Sequence, residues 1–383
     1  MMNLYDIFVE SLNKLNLGDV KTKAIKTICN TLLESNLSGN DSDTEYNDNA
    51  KVDYNIIKKL DNGYSIVEDY ATYNVIDTDG NLLYAEWFDA LYDYVNGFAK
   101  CHSSKGYNFI DRNGNLLCDN MWFRDAYDFH EDAAVVLLYG NELARMNYVK
   151  SDGTLLSYKC FNICNHFNHG CGVVCSSGKF NVIDINGNLL CDKEYDDIST
   201  YNDYGTAEVK DGGRYNFIDV HGKVLFDTWF DSVEYPDDEY PIVKSNYKYT
   251  YISHDGHFVS DSWYDECHRF SDVGAVRLDD KWNYVKPNGR LLSKQWFDYC
   301  QDFMYGVGEV EMLVKKNVMY PDGLISSIKK NKYNFINING HIISDIWFDG
   351  CGDWDIKTNS AEVKLNRKFN RIDKNGNLLY SWK

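Results

Sequence analysis

From about residue 53 onward the apolar positions fall into short alternating runs separated by Asn-Gly, Asp-Gly and related turns. One stretch shows the pattern: "GFAKC" (Gly97 to Cys101), then "YNFID" (Tyr107 to Asp111), an Asn-Gly turn, and "LLCDNMWF" (Leu116 to Phe123). Alternation with period two marks strands with one buried face, and Asn-Gly tolerates the positive φ of tight hairpins. The pattern predicts a hairpin with a third strand beside it, and "RDAYDFHED" either extends that strand or supplies a short fourth. No stretch here keeps an i, i+3, i+4 spacing long enough for helical repeats.

The turn glycines Gly80, Gly114, Gly153, Gly187, Gly222, Gly256, Gly289, Gly323, Gly340 and Gly376 lie at intervals of 34, 39, 34, 35, 34, 33, 34, 17 and 36 residues. Such a period marks a repeat architecture, in which one unit cannot bury its own faces and takes copies of itself as neighbours. The expectation is an all-β repeat array of about ten antiparallel meanders, residues 53–383, with the unit around Gly323 cut to half. A propeller blade usually spends about 40 residues or more. An open superhelical stack is therefore favoured, with a β-propeller as the alternative. Residues 1–34 differ: Leu4, Ile7, Phe8 and Leu12, then Val20, Ile25, Ile28, Leu32 and Leu33, predict two short amphipathic helices. The polar "SNLSGNDSDTEYNDNA" within residues 35–52 reads as a linker.

Composition narrows the function. The chain of 383 residues is 44% apolar, enough for a large core, and 15% aromatic with only 4 Pro, which suits strands and Asn, Asp and Gly turns. A net charge of −19 without a basic stripe argues against nucleic acid. No apolar run approaches the roughly 20 residues of a membrane helix, and the first residues lack a signal-peptide pattern, so a soluble chain with free thiols in a reducing cytoplasm is expected, or a virion-associated one if phage-encoded.

The repeating phrase, aromatic-x-x-Ile-Asp-x-x-Gly with "NGFAK" (Asn96 to Lys100), resembles the WG-type β-repeats of many bacterial and gut-bacteriophage proteins over roughly residues 53–383. It departs at the namesake dipeptide, where this chain has Tyr73-Asn74, Tyr107-Asn108, Phe180-Asn181, Tyr215-Asn216, Trp282-Asn283 and Tyr333-Asn334. The resemblance implies the repeat fold and, by analogy, a virion or host-interaction role, and it implies no activity.

Two rows are the candidate binding residues. Trp87, Trp122, Trp229, Trp263, Trp296 and Trp347 each precede a second aromatic, so in an extended segment one ring of each pair points inward and the other elsewhere. The outer ring either packs under the next unit or forms an aromatic ladder for a protein or a sugar. Just beyond, Asp89, Asp231, Asp265, Asp298 and Asp349 stand at Gly+9. They either draw a basic partner or cap the following turn.

Metal and catalytic patterns do not emerge. "DTDGN" (Asp77 to Asn81) places Gly at position 4, where an EF-hand needs it at 6, and position 12 is Phe88. "CFNICNHFNHGCGVVC" (Cys160 to Cys175) offers thiols and imidazoles, but Cys164 shares its Gly+11 slot with Cys267, Cys300, Cys351, Leu91, Ile198 and Val233, which marks a buried apolar position. The remaining Cys160, His166, His169, Cys171 and Cys175 lack Cys-x-x-Cys knuckles. No nucleophile elbow, phosphate loop or His-Glu-x-x-His occurs. A non-enzymatic, cofactor-free scaffold for a protein partner is expected, with a carbohydrate- or receptor-binding module as the alternative.

Overall fold

The computed structural model describes residues 54–383 apart from 61, 141–144, 237–239 and 320–324. The expected helices of 1–34 and the linker 35–52 lie outside the described residues, as does Gly323. Among the described residues the chain forms nine three-stranded antiparallel sheets, each with its strands in chain order. They cover residues 55–76, 90–111, 125–150, 163–184, 197–219, 232–251, 266–285, 299–337 and 350–373, numbered here as sheets 1 to 9. Sheet-to-sheet packing joins consecutive sheets, and no substantial contact links sheet 1 with sheet 9.

Sheet 2 shows how a unit is built. Ala90–Val95, Phe98–Ser103 and Gly106–Asp111 pair with Leu91 opposite Cys101 and Cys101 opposite Asn108. Asp111 then caps the turn: its Oδ1 accepts the N–H groups of Asn113 and Asn115, both at 2.8 Å. This Asx arrangement recurs at Asp77, Asp184, Asp219 and Asp373. Turn capping is thus where the aspartates of the EF-hand-like phrase are used.

The chain next folds back on the third strand without forming a regular strand. It makes single bridges at Ile110 with Leu116 and at Tyr107 with Phe123, the latter closed by two N–H to C=O bonds of 2.8 Å. The segment expected to extend the third strand or to supply a short fourth, Asp125–His130 within it, instead opens the next sheet.

The departure from Trp-Gly has a physical reason. Asn108 is fully buried and its side chain holds the returning segment: Nδ2 donates to the carbonyls of Cys118 (2.8 Å) and Met121 (3.1 Å), while Oδ1 accepts from the N–H of Phe109 and Cys118. Asn74, Asn147, Asn181, Asn216, Asn283, Asn334 and Asn370 reach the corresponding carbonyls in their own units. A buried amide with two donors and an acceptor can satisfy a chain that has left the ladder. Sheet 6 uses Thr250, whose Oγ1 donates to the carbonyl of Ser260 at 3.4 Å.

The 17-residue interval before Gly340 is not a shortened unit. Sheet 8 carries a hairpin of two 13-residue strands, Val307–Met319 and Ile325–Asn337, paired continuously from Val307 with Asn337 to Met319 with Ile325. The corresponding hairpin strands of sheet 2 have six residues. The added residues lengthen one hairpin and create no further sheet, so ten turns in sequence become nine units in space.

Candidate interaction surface

The Trp row lies at the joints between units. In every Trp-aromatic pair the second ring is buried, as at Phe123, Phe230, Phe297 and Phe348, each at 0% exposure. The six indoles are half-buried. Trp229 tilts onto Tyr195 of the preceding unit with centroids 6.2 Å apart, and Trp263 onto Phe230 at 6.4 Å. Trp122, Trp296 and Trp347 likewise pack against the core of the unit before, and Trp87 meets Tyr54 at 5.6 Å. Trp382, one residue short of the usual spacing from Gly376, tilts onto Phe348 in the same way and was missed because of that offset. Burying most of an indole between units stabilises each joint by roughly 1.5–3 kcal/mol. One edge of each ring stays accessible, and lysines sit over two of them, Lys105 over Trp122 and Lys193 over Trp229.

The Asp row fastens the same joints. Asp265 accepts Lys248 Nζ (2.5 Å) on the preceding sheet and the N–H of Asp279 (2.9 Å) in the hairpin turn of the following one. Asp298 joins Lys281 to the N–H of Leu313, Asp349 joins Lys332 to that of Asn366, and Asp231 joins Arg214 to that of Asn246. Asp196, in a unit with Glu194 where others have Trp, does the same with Lys179 and the N–H of Gly212. Asp89 faces His102 Nδ1 at 3.7 Å. The Lys248 ammonium, then the Asp279 N–H, hold the Asp265 carboxyl below its ordinary range, and Lys332 and Asn366 do so for Asp349. These carboxylates accept turn N–H groups, and the cations they meet come from the chain itself.

A third row is displayed outward. Directly across the second and third strands, Lys210 pairs with Tyr215, Lys244 with Tyr249 and Lys364 with Phe369, and each ammonium lies over its ring at 5.1–5.2 Å. Sheet 7 has Arg277 opposite Trp282 at this position, but there the indole is buried in the core, and sheet 2 has His102 opposite Tyr107 with centroids 4.5 Å apart. Tyr92, Tyr127 and Tyr299 add exposed rings on first strands. Sequence reading missed this row because its cation changes identity and lies a hairpin away from its aromatic.

Two clefts interrupt the repetition. One of about 630 Å³ between sheets 3, 4 and 5 is lined by Tyr127, His130, His166, Phe167, Asn168 and Tyr201 among others, with the rings of His130 and His166 4.1 Å apart. Burial and then the neighbouring His130 lower the His166 pKa. Cys164 and Cys171 line its apolar floor, and burial pushes their thiols up to about 12 and about 11. Cys160 instead accepts from Arg145 Nη2, and His169 Nε2 lies 3.0 Å from the Asn202 carbonyl. No three His, Cys, Asp or Glu gather as a metal site among the described residues.

The second cleft holds Gln301, Asp302, Glu309, Asp353 and Trp354, whose buried Nε1 has no hydrogen-bond partner there. Burial, then Asp353 and Glu311, push the Glu309 carboxyl up to about 7. A carboxyl raised on folding keeps its proton longer in the native state, so its contribution falls as pH rises from about 4.3, the unfolded value, to about 7. Glu309→Gln is expected to flatten the loss of stability over that window, measured by urea denaturation at a series of pH values. An unchanged slope would remove Glu309 as its source.

The WG containing repeat family matches residues 182–215 and 249–282, each window running from one third strand to the next. No curated protein matches the chain. Solved structures with some likeness include a eukaryotic initiation factor (9% identity, 85% of this chain and 96% of that one, TM-score 0.32). Others are Hsv2 of Kluyvelomyces marxianus (10%, 71% and 96%, TM-score 0.27) and the extracellular domain of a two-component system from B. thetaiotaomicron (11%, 72% and 49%, TM-score 0.23). Likenesses at this level transfer no function. Two units of this chain thus match the WG containing repeat directly, and the same three-stranded meander recurs along the described residues.

Proposed function

We propose that the array is a non-enzymatic scaffold that binds a partner protein along its outward cation-aromatic row. The observation that carries this reading is the recurrence of Lys over an aromatic at one register in sheets 5, 6 and 9. Aromatic rings are among the side chains that contribute most at protein interfaces, the adjacent lysines supply charge complementarity to an acidic partner, and equivalent units extend contact area by addition. A virion or host-interaction setting follows from the resemblance to bacteriophage repeat proteins, and a reducing compartment suits an array whose thiols fill apolar slots.

The test is affinity capture with cross-linking and mass spectrometry, using wild type and a variant carrying Lys210→Glu, Tyr215→Ser, Lys244→Glu and Tyr249→Ser. A partner held at least about tenfold more weakly by the variant supports the reading. Undiminished capture by a folded variant would sink it. The 630 Å³ cleft, with its aromatic and amide lining, favours carbohydrate as the second reading. Glycan binding abolished by Tyr127→Ala and untouched by the row variant would favour it.

A further inference from the structure

The long hairpin of sheet 8 has a charge pattern unlike the rest of the molecule. Residues 312–332 contain five Lys and one Asp in a chain of net charge −19. Its strands continue about seven residues beyond those of sheet 2, or about 23 Å at the strand rise. Lys329 and Lys330, nearer its base, still act on the Asp298 and Asp349 carboxylates of the array. Lys315 stands directly opposite Lys329, a like-charge pair that destabilises an isolated ribbon. Lys315, Lys329 and Lys330 are exposed and have no ion-pair partner among the described residues. Leu313 and Val314 beside them are 37% and 46% exposed.

Along one face of the first strand the order is Glu309, Glu311, Leu313, Lys315, every second residue, with Lys329 across from Lys315. The base of this face is acidic, its middle apolar and its outer part basic. Glu309 and Glu311 have no lysine facing them across the hairpin, since their partners are Phe335 and Tyr333. A two-fold axis near residue 312 would set Glu309 against Lys315 of another copy and Glu311 beside its Leu313, and the same pairs again in reverse. That is the condition for an isologous contact.

We propose that the hairpin 307–337 is a self-docking arm, two copies of the chain pairing arm against arm in antiparallel fashion, the basic outer part of each on the carboxylate base of the other. The contact answers the cross-strand lysine repulsion and covers Leu313. It is independent of the outward row proposed above, because no residue of that row lies on the arm. Its polarity disfavours nucleic acid and anionic membranes, which would meet the carboxylate base as well as the lysines.

Sedimentation velocity of the full chain tests it. A dimer is expected at about 0.05 M salt, with at least about tenfold weaker association at about 0.5 M. Lys315→Glu with Lys329→Glu should make the chain monomeric, as should replacement of 313–331 by an Asn-Gly turn. Mixing the Lys315→Glu/Lys329→Glu variant with Glu309→Lys/Glu311→Lys should restore a mixed dimer. A wild type monomeric throughout would overturn the proposal and leave the lysines as guards against edge pairing. A dimer that survives arm shortening would overturn it as well, as would a monomeric arm that instead binds polyglutamate.

Discussion

Asn283→Ala is expected to destabilise the array by about 3–5 kcal/mol, the largest effect of any exchange of one polar side chain in the core. Asn283 is fully buried, its Nδ2 donates to the carbonyls of Ser293 (2.9 Å) and Gln295 (3.2 Å), and its Oδ1 accepts from the N–H of Tyr284 and Ser293. Alanine leaves these main-chain groups in a low-dielectric interior without their side-chain partner, each orphaned group costing about 1–3 kcal/mol before relaxation. Asn283→Thr should recover about 1 kcal/mol, since a hydroxyl serves at the same register in sheet 6 through Thr250. Urea denaturation gives the magnitude, and amide exchange should show the loss concentrated in the segment 291–297. A cost below about 1 kcal/mol would mean that water replaces the amide, and the clamp would then be ornamental.

Gly289→Ala should cost about 3–4 kcal/mol, from two separable sources. The residue sits at φ +77°, where an L side chain is strained by about 1–2 kcal/mol. A Cβ there would also lie 2.2 Å from the carbonyl oxygen of Val259 in the preceding unit, so the two units would have to move apart. Gly97 separates the terms, because it has φ +93° and open space around its Cβ position. Gly97→Ala should therefore cost only the backbone strain, about 1–2 kcal/mol. Equal losses at the two sites would show that the joint yields freely. The same close approach joins Gly340 to Leu292, three residues past Gly289, which shows that the long hairpin is passed over when units stack.

The sequence made the period and the pleat legible because both depend on local chemistry. Asn-Gly and Asp-Gly turns, alternating apolar residues and the Gly+11 slot shared by Cys, Leu, Ile and Val need only neighbouring positions to interpret. What escaped was longer in range. That the Asn of Tyr-Asn holds a segment ten residues downstream has no signature except recurrence. Asp265 reads alone as a turn cap, because its lysine lies 17 residues back on another sheet. Gly323 was legible as an oddity, yet the half-period spacing suggested a deleted piece where the strands show an added one. The Lys–aromatic row was hidden by the substitution of Arg277 and His102 at its cationic position.

The 17-residue span has a kinetic consequence. Lys281 to Asp298, Lys248 to Asp265, and the hydroxyls of Tyr148, Tyr251 and Tyr284 to carbonyls of the next sheet all bridge the same short stretch of chain. All-β proteins ordinarily fold slowly because distant strands must find one another before any contact rewards the lost entropy. Here a joint closes only a small loop, and doubling a loop costs just about 0.6 kcal/mol more, so neither the sheet nor its neighbour waits on a distant partner. Folding can begin at any unit and spread both ways. Lengthening the array would then add material without adding a slower search.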